Sequence, residues 1–484
     1  MKFIVKLFPE IIIKSKPVRK KFTQQLRDNL RKLLLPLDPG LIIVRDWDRI
    51  TIETHATDLD VLEGFATVLC NTPGIAHVIE VAEYPLIDVH DIFEKTRDAI
   101  GDSLRGKRFV VRCKRVGQHD FNSSEVERYV GGGLNQHVES AGVDLHKPDV
   151  TVRIEVRNET VYIVNRRLEG LGGYPLGTVD AVMSLISGGF DSTVSSYMMM
   201  KRGMRTHFCF FNLGGREHQV GVKEVALYLW LKYGASHRVK FVSVPFEEVV
   251  GEILKNVENS QMGVVLKRMM LRAASNVATQ LEVPALVTGE AVSQVSSQTL
   301  QNLSVIDQVT DTLVLRPLIA MDKLDIIKVA AQIGTEEFAA NMPEYCGVIS
   351  VRPTTRAKPE KIVAQEEKFD FSVLERAIAA AEFINIDQLA DEDRTVVDVE
   401  VLSIPVSGSL ILDVRHPDEV DRKPLKLVNA EVQAVPFYEL HRRFVELDQS
   451  RVYLLYCDKG VMSRLHASHL VEQGFTNVKV YRPS

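Results

Sequence analysis

Residues Ser187–Ser192 read SGGFDS, and they stand between a short apolar strand pattern, AVMSLIS, and a helical pattern, STVSSYMMMKRG. From Val179 onward the same alternation repeats. RTHFCFFNL is followed by HQVGVKEVALYLWLKYG, then RVKFVSVPF, and the helical KRMMLRAASNVATQLE precedes PALVTGE. Short apolar strands alternating with helices predict a doubly wound, parallel α/β sheet. Such sheets bind ligands at the carboxyl ends of their strands. Two glycines there let backbone N–H groups approach an anion, and the dipole of the following helix favours negative charge. The six residues therefore predict a phosphate cradle. It is not a Walker A loop, because the G-x-x-x-x-G-K-[ST] spacing and its lysine are absent. A glycine-rich turn capped by Ser192 and holding no ligand would carry the same letters; the strand–loop–helix setting favours the ligand.

At 484 residues the chain is too long for one core, and ~3 domains is the prior expectation. At the front, the strand MKFIVKLFP, the helix RKKFTQQLRDNLRKLLL, a strand pair turning near Asp46–Asp48, and a helix and strand ending near residue 85 give a ferredoxin-like order. A second α+β unit follows, with the cationic strand KRFVVRCKRVG, a helix opening on the Ser-x-x-Glu of Ser124–Glu127, and a hairpin turning at Asn158. Gly170–Thr178 is a Gly/Pro-rich linker. An acidic segment from Glu360 to Asp393, expected to be helical, leads from the α/β sheet to a last α/β unit of about 80 residues. The expected boundaries are 1–62, 63–168, 176–395 and 404–484.

Residues 1–60 carry twelve Lys/Arg against eight Asp/Glu although the whole chain is at −5, so a polyanion, if bound, is expected at the front. A solvated helical face would explain the same charge. No apolar run reaches the ~20 residues of a membrane span, and the lysine-interrupted start does not read as a signal peptide. A cytoplasmic protein without a membrane partner is the expectation. The five cysteines, Cys70, Cys113, Cys209, Cys346 and Cys457, show no metal-ligand spacing, so no metal site is expected, and their odd number argues against a disulfide framework. Cys70, Cys113 and Cys209 read as core residues.

Cys457 follows the strand pattern LLY and opens a loop containing Gly460. Such a loop can aim several N–H groups at one sulfur, lowering its pKa and stabilising a persulfide anion. A cysteine phosphatase would need arginine six positions on; Ser463 is there, and Arg464 is one too far.

SGGFDS resembles the SGG-x-DS signature of the PP-loop ATP pyrophosphatases. Together with QMGVVLKRMM, VTGEAVSQVSSQTLQNL, RPLIAMDK and MPEYCGVIS, in that order, it resembles the ThiI family, the tRNA 4-thiouridine synthetases. VRCKRVGQHDF…VERYVGGG resembles a THUMP domain, and LDVRHPDE with CDKG a rhodanese domain. The resemblance covers essentially the whole chain. It implies a ferredoxin-like N-terminal domain, a THUMP domain, a PP-loop domain and a rhodanese-like domain. It implies ATP, with Mg²⁺, held by Leu185, Ile186, Ser187, Gly188, Gly189, Asp191, Ser192, Lys267, Gly289 and Gln298, with Lys323 stabilising charge during adenylation. Arg112, Lys114, Arg115 and His119, beside Phe121, are expected to touch tRNA, with Lys14, Lys16, Arg19, Lys20 and Lys21 as a possible extension. Cys457 is expected to carry sulfur received from a cysteine desulfurase, and Cys346 to pair with it during turnover. The implied reaction makes 4-thiouridine at position 8 of tRNA through an adenylated intermediate. The family is also linked to a sulfur carrier protein of thiamine thiazole synthesis. Many rhodaneses have arginine directly after the cysteine; Asp458 here favours a protein persulfide over thiosulfate as donor. Another adenylating enzyme of the PP-loop type, or a non-catalytic tRNA-binding protein, are the alternatives.

Overall fold

The computed structural model describes residues 1–213, 216–340, 342, 352–389, 399–406, 408–415, 417–427, 430–458 and 460–483. The described chain forms two compact units, Met1–Thr178 with Lys201–Gly203, and Val179–Met200 with Met204–Ser484.

The first unit is built on β1 (Lys2–Leu7), β2 (Ile42–Arg45), β3 (Arg49–Glu53), β4 (Ile75–Pro85), β5 (Phe109–Val116), β6 (Val150–Arg157) and β7 (Thr160–Gly172). They join in one sheet of order β2-β3-β1-β4-β7-β6-β5. The join is β4, which is long enough to pair antiparallel with β1 along one edge and with β7 along the other. Alternation in KFIVKL turns Phe3, Val5 and Leu7 into one core, where they meet Leu26 and Leu30 of the helix Lys16–Leu34 and Phe65 of the helix Leu59–Cys70. Burying each such side chain contributes roughly 1.5–3 kcal/mol. A second core packs Val111 of β5 and Ile154 of β6 against Val126, Val130 and Leu134 of the helix Ser123–His137.

That helix does not start on the expected Ser124–Glu127 pair. Its cap is Asn122, whose side chain accepts from Glu125 N while the Glu125 carboxylate accepts from Asn122 N. Asn at the cap competes well with Ser, and the choice frees Glu127 to accept from Cys113 N at 2.8 Å, tying the helix to β5.

The second unit holds two sheets. The larger joins β8 (Val179–Leu185), β9 (Met204–Asn212), β10 (Lys240–Pro245), β11 (Ala285–Val287), β12 (Leu313–Leu315) and β13 (Glu382–Asn385) in the order β12-β11-β8-β9-β10-β13. Five strands are parallel, as the alternation predicts, but β13 runs antiparallel to β10. The acidic segment is thus not all helix: helices Pro359–Glu366 and Phe371–Ala379 are followed by a strand. The physical reason is the exposed edge of β10, whose backbone groups EFIN satisfies.

The smaller sheet joins β14 (Val401–Leu402), β15 (Leu410–Asp413), β16 (Glu431–Ala434), β17 (Tyr453–Tyr456) and β18 (Val478–Tyr481), all parallel, in the order β14-β18-β17-β15-β16. No described helix is long and apolar enough to cross a membrane.

Candidate functional site

β8 lies in the middle of the larger sheet and delivers SGGFDS at its carboxyl end, directly into the helix Phe190–Lys201. The loop is internally braced. Ser187 N and Ser187 Oγ both donate to Ser192 Oγ at 3.1 Å, and Ser192 Oγ and Thr193 Oγ1 reach Gly189 O at 3.2 and 2.8 Å. Gly188 has φ +82°, a conformation that costs a residue with a Cβ. A Cβ there would also strike Met342, and one on Gly289, after β11, would lie 2.5 Å from the Asp191 carbonyl carbon. The backbone is therefore close-packed from two sides around a helix start, whose first N–H groups have no intrahelical partner.

Asp191 sits in the first turn of this helix. Lys323 Nζ donates to its Oδ1 and Gln294 Nε2 to its Oδ2, both at 2.8 Å. Lys323 opens the helix Lys323–Ile333 and its side chain is 42% exposed, so it lies at the mouth and not in a dry interior. Ile186 is buried and its N–H donates to Cys209 O, which leaves it as a wall; Leu185 is half-buried. Gln298 is buried, and its side-chain oxygen meets no donor among the described residues. Lys267 reaches Glu290 Oε1 at 3.9 Å. The loop, the helix start, the two lysines and the unsatisfied Gln298 oxygen fit a nucleotide with its phosphates at the glycines.

Gln294 and three further residues shape this site and were not singled out from sequence. Glu290 is buried beside Lys267 and accepts from Thr288 Oγ1 at 3.0 Å and Arg316 Nε at 2.8 Å. Arg316 also grips Asp307; burial pulls its guanidinium pKa down, but the Asp307 and Glu290 carboxylates hold it above its ordinary value. His218 Nε2 lies 3.0 Å from Ser187 O; burial depresses its pKa, so the neutral ring donates this bond to the loop. Gln294 and Glu290 stand in VTGEAVSQ, directly after Gly289, and that stretch was the available signal.

In the smaller sheet, β17 delivers Cys457 to a loop that runs into the helix Val461–Glu472. Ser463 N donates to Cys457 Sγ at 3.3 Å and Ser463 Oγ lies 3.4 Å from it, while Gly460, at φ +70°, closes the turn through a bond to Cys457 O. The expected N–H cradle is present, but the expected lowered pKa is not. Burial raises the thiol pKa, and this outweighs the donors Ser463 Oγ and the N–H groups of Ser463, Met462 and Gly460. Asp458 is half-exposed and pinned: Arg415 Nη1 donates to it at 3.1 Å and Tyr456 Oη at 2.8 Å, and Arg415 is itself buried on Asp413. Cys346 lies outside the described residues; Met342, four residues before it, touches Gly188 of the phosphate loop.

In the first unit, β5 is an edge strand. Its period of two sends Arg112 and Lys114 to one face and Arg115 to the other. Arg115 Nη1 meets His119 Nδ1 at 3.1 Å, His119 Nε2 meets Asn158 O at 2.6 Å, and His119 stacks on Phe121. Arg112 and Lys114 are exposed, whereas Arg115 and His119 brace the hairpin end.

The fold and site define a multidomain α/β and α+β protein with a braced, glycine-rich strand–loop–helix and a separate cysteine loop. Family models agree: "ThiI ferredoxin-like domain" at residues 2–78, "THUMP domain" at 87–165, "Thiamine biosynthesis protein (ThiI)" at 177–371 and "Rhodanese-like domain" at 400–484. Over all 484 residues of both chains, this one is 58% identical to a tRNA sulfurtransferase of Azotobacter vinelandii and 59% identical to one of Pseudomonas aeruginosa. The chain belongs to the ThiI family of tRNA sulfurtransferases. A crystal structure of a 4-thiouridine synthetase–RNA complex with bound ATP matches 79% of this chain and 99% of its own at TM-score 0.67 and 26% identity. PH1313 from Pyrococcus horikoshii, at 19% identity and TM-score 0.50, shares the fold.

Proposed function

We propose that the chain is an ATP-dependent sulfurtransferase that converts uridine 8 of tRNA to 4-thiouridine. What carries this reading is the joining, in one chain, of a braced phosphate loop faced by Lys323 with a cysteine at which N–H groups are aimed. O4 of the uridine attacks the α-phosphorus of ATP and pyrophosphate leaves, so that C4 now bears AMP as leaving group. Backbone N–H groups of Gly188 and Gly189 and the helix dipole hold the phosphates, and Lys323 opposes the charge that develops on them. Among the described residues no group of three His, Cys, Asp or Glu could hold a metal ion. Mg²⁺ would come with the ATP phosphates, and Asp191, in the first turn of the helix, is the loop carboxylate that would orient it.

Sulfur arrives separately. A cysteine desulfurase passes sulfane sulfur to the Cys457 thiolate, giving a persulfide. The outer sulfur attacks C4 and AMP leaves, joining Cys457 to the base through two sulfurs. The Cys346 thiolate then attacks Cys457 Sγ. The S–S bond to the base breaks, its electron pair stays on the new 4-thiouridine sulfur, and a Cys346–Cys457 disulfide remains for a dithiol reductant. Sulfide released first by Cys346 would give the same products. By the same carrier, sulfur would reach the C-terminus of a thiazole-forming sulfur carrier protein. Arg112 and Lys114, on the exposed face of β5, would hold the tRNA backbone, and a cytoplasmic location suits these partners.

Purified protein, tRNA, ATP, cysteine and a desulfurase are expected to give 4-thiouridine with one AMP per modified base. Bound tRNA without AMP would favour a non-catalytic binder, and AMP formed equally without tRNA another adenylating enzyme.

A further inference from the structure

We propose that Glu224 and His466 are the contact that seats the sulfur-carrying domain on the nucleotide-binding domain for transfer. This rests on the function proposed above. His466 Nδ1 lies 3.3 Å from Glu224 Oε1; the histidine side chain is fully buried and the glutamate 8% exposed. The two come from different sheets of the second unit, His466 from the helix Val461–Glu472 of the smaller and Glu224 from the helix Arg216–Leu229 of the larger.

Each helix starts at one of the reacting loops. Arg216–Leu229 opens beside the phosphates' loop, where His218 bonds Ser187 O at 3.0 Å. Glu224 is six residues further along, about 9 Å at the helical rise. Val461–Glu472 opens on the sulfur, where Ser463 meets Cys457 Sγ through its backbone N–H and its hydroxyl. His466 is three residues on, about 4.5 Å. One contact is thus tied through two short stretches of helix to both loops.

The chemistry suits registration better than adhesion. A buried polar pair gains little net stability over apolar packing, because both groups leave water, but it is intolerant of sliding. Met462 and Leu470, one turn either side of His466, are buried on the same stripe, and apolar packing by itself permits shifts in register. A reacting sulfur displaced by an ångström loses about 10²-fold in rate.

The test uses the full chain carrying Glu224→Gln or His466→Gln, with three readouts. These are pyrophosphate release with ATP and tRNA, loading of Cys457 from labelled cysteine and a desulfurase, and single-turnover passage of the label to tRNA. The expected result is a loss of about 10²-fold in passage, with release and loading at the unaltered rates. Exchanging the partners, Glu224→His with His466→Glu, is expected to recover passage. Unaltered passage in the single variants overturns the inference, as does loss of all three readouts without recovery in the exchange. If the unaltered chain neither releases pyrophosphate nor loads Cys457, the proposed function fails; if it does both and the variants pass sulfur normally, the docking contact alone fails.

Discussion

Cys457→Ser is expected to form no 4-thiouridine above blank when supplied with ATP, tRNA, cysteine and a desulfurase, while pyrophosphate release continues. The hydroxyl keeps the loop's shape but cannot hold sulfane sulfur, and the activation of the base belongs to SGGFDS in another sheet. The neighbouring N–H groups have no substitute sulfur to act on. The intact cysteine carries its own signature. Because burial lifts the thiol above its ordinary 9.0, the nucleophilic thiolate grows in only as pH rises past that value. Alkylation of Cys457 is therefore expected to accelerate up to a higher pH in the folded chain than in the denatured chain. Retained thiolation by Cys457→Ser would contradict the carrier role.

Asp191→Asn is expected to slow tRNA-dependent pyrophosphate release by about 10²–10³-fold, the usual cost of losing one preorganised electrostatic group at a reacting centre. Both carboxylate oxygens are engaged, by Lys323 and Gln294, and the amide can offer an oxygen to only one of them. Lys323 then loses the anion that aims it across the loop. The fold is expected to survive, since a partly exposed ion pair contributes about 0–1 kcal/mol. Loading of Cys457 is expected to continue, because the cysteine loop shares no residue with the phosphate loop. Normal release with bound tRNA would remove Asp191 from the mechanism.

What could be read directly from the sequence was local. SGGFDS has its strand before it and its helix after it, so the cradle follows from neighbouring residues. The partners of Asp191 could not be read that way. Lys323 and Gln294 reach it only because parallel pairing brings the end of β11 beside β8 and the end of β12 beside β11. Glu290 and Arg316 were hidden for the same reason, although both lie in motifs that the family resemblance had already marked. The Cys457 pKa lies opposite to the expectation because the N–H donors follow from a cysteine–glycine loop, whereas burial of the sulfur, which outweighs them, depends on tertiary packing. The helix cap moved from Ser124 to Asn122 because two adequate caps stand two residues apart and Glu127 had a better partner in Cys113 N. Arg112, Lys114, Arg115 and His119 were read as one tRNA-facing set, although a strand's period of two already sends Arg115 to the face opposite Arg112 and Lys114. The strand β13 was not, because EFIN is short and follows a helical run; it is the open edge of β10 that makes it a strand.

The central claim is that the sulfur on Cys457 is the sulfur that enters the tRNA. The most direct measurement is a single turnover of the full chain, preloaded with labelled sulfane sulfur on Cys457 and freed of desulfurase and reductant, then mixed with ATP and tRNA. The account predicts label in 4-thiouridine at position 8, one AMP per label transferred, and a Cys346–Cys457 disulfide in the spent protein by peptide mapping. Label that stays on Cys457 while 4-thiouridine forms from another sulfur source would contradict it.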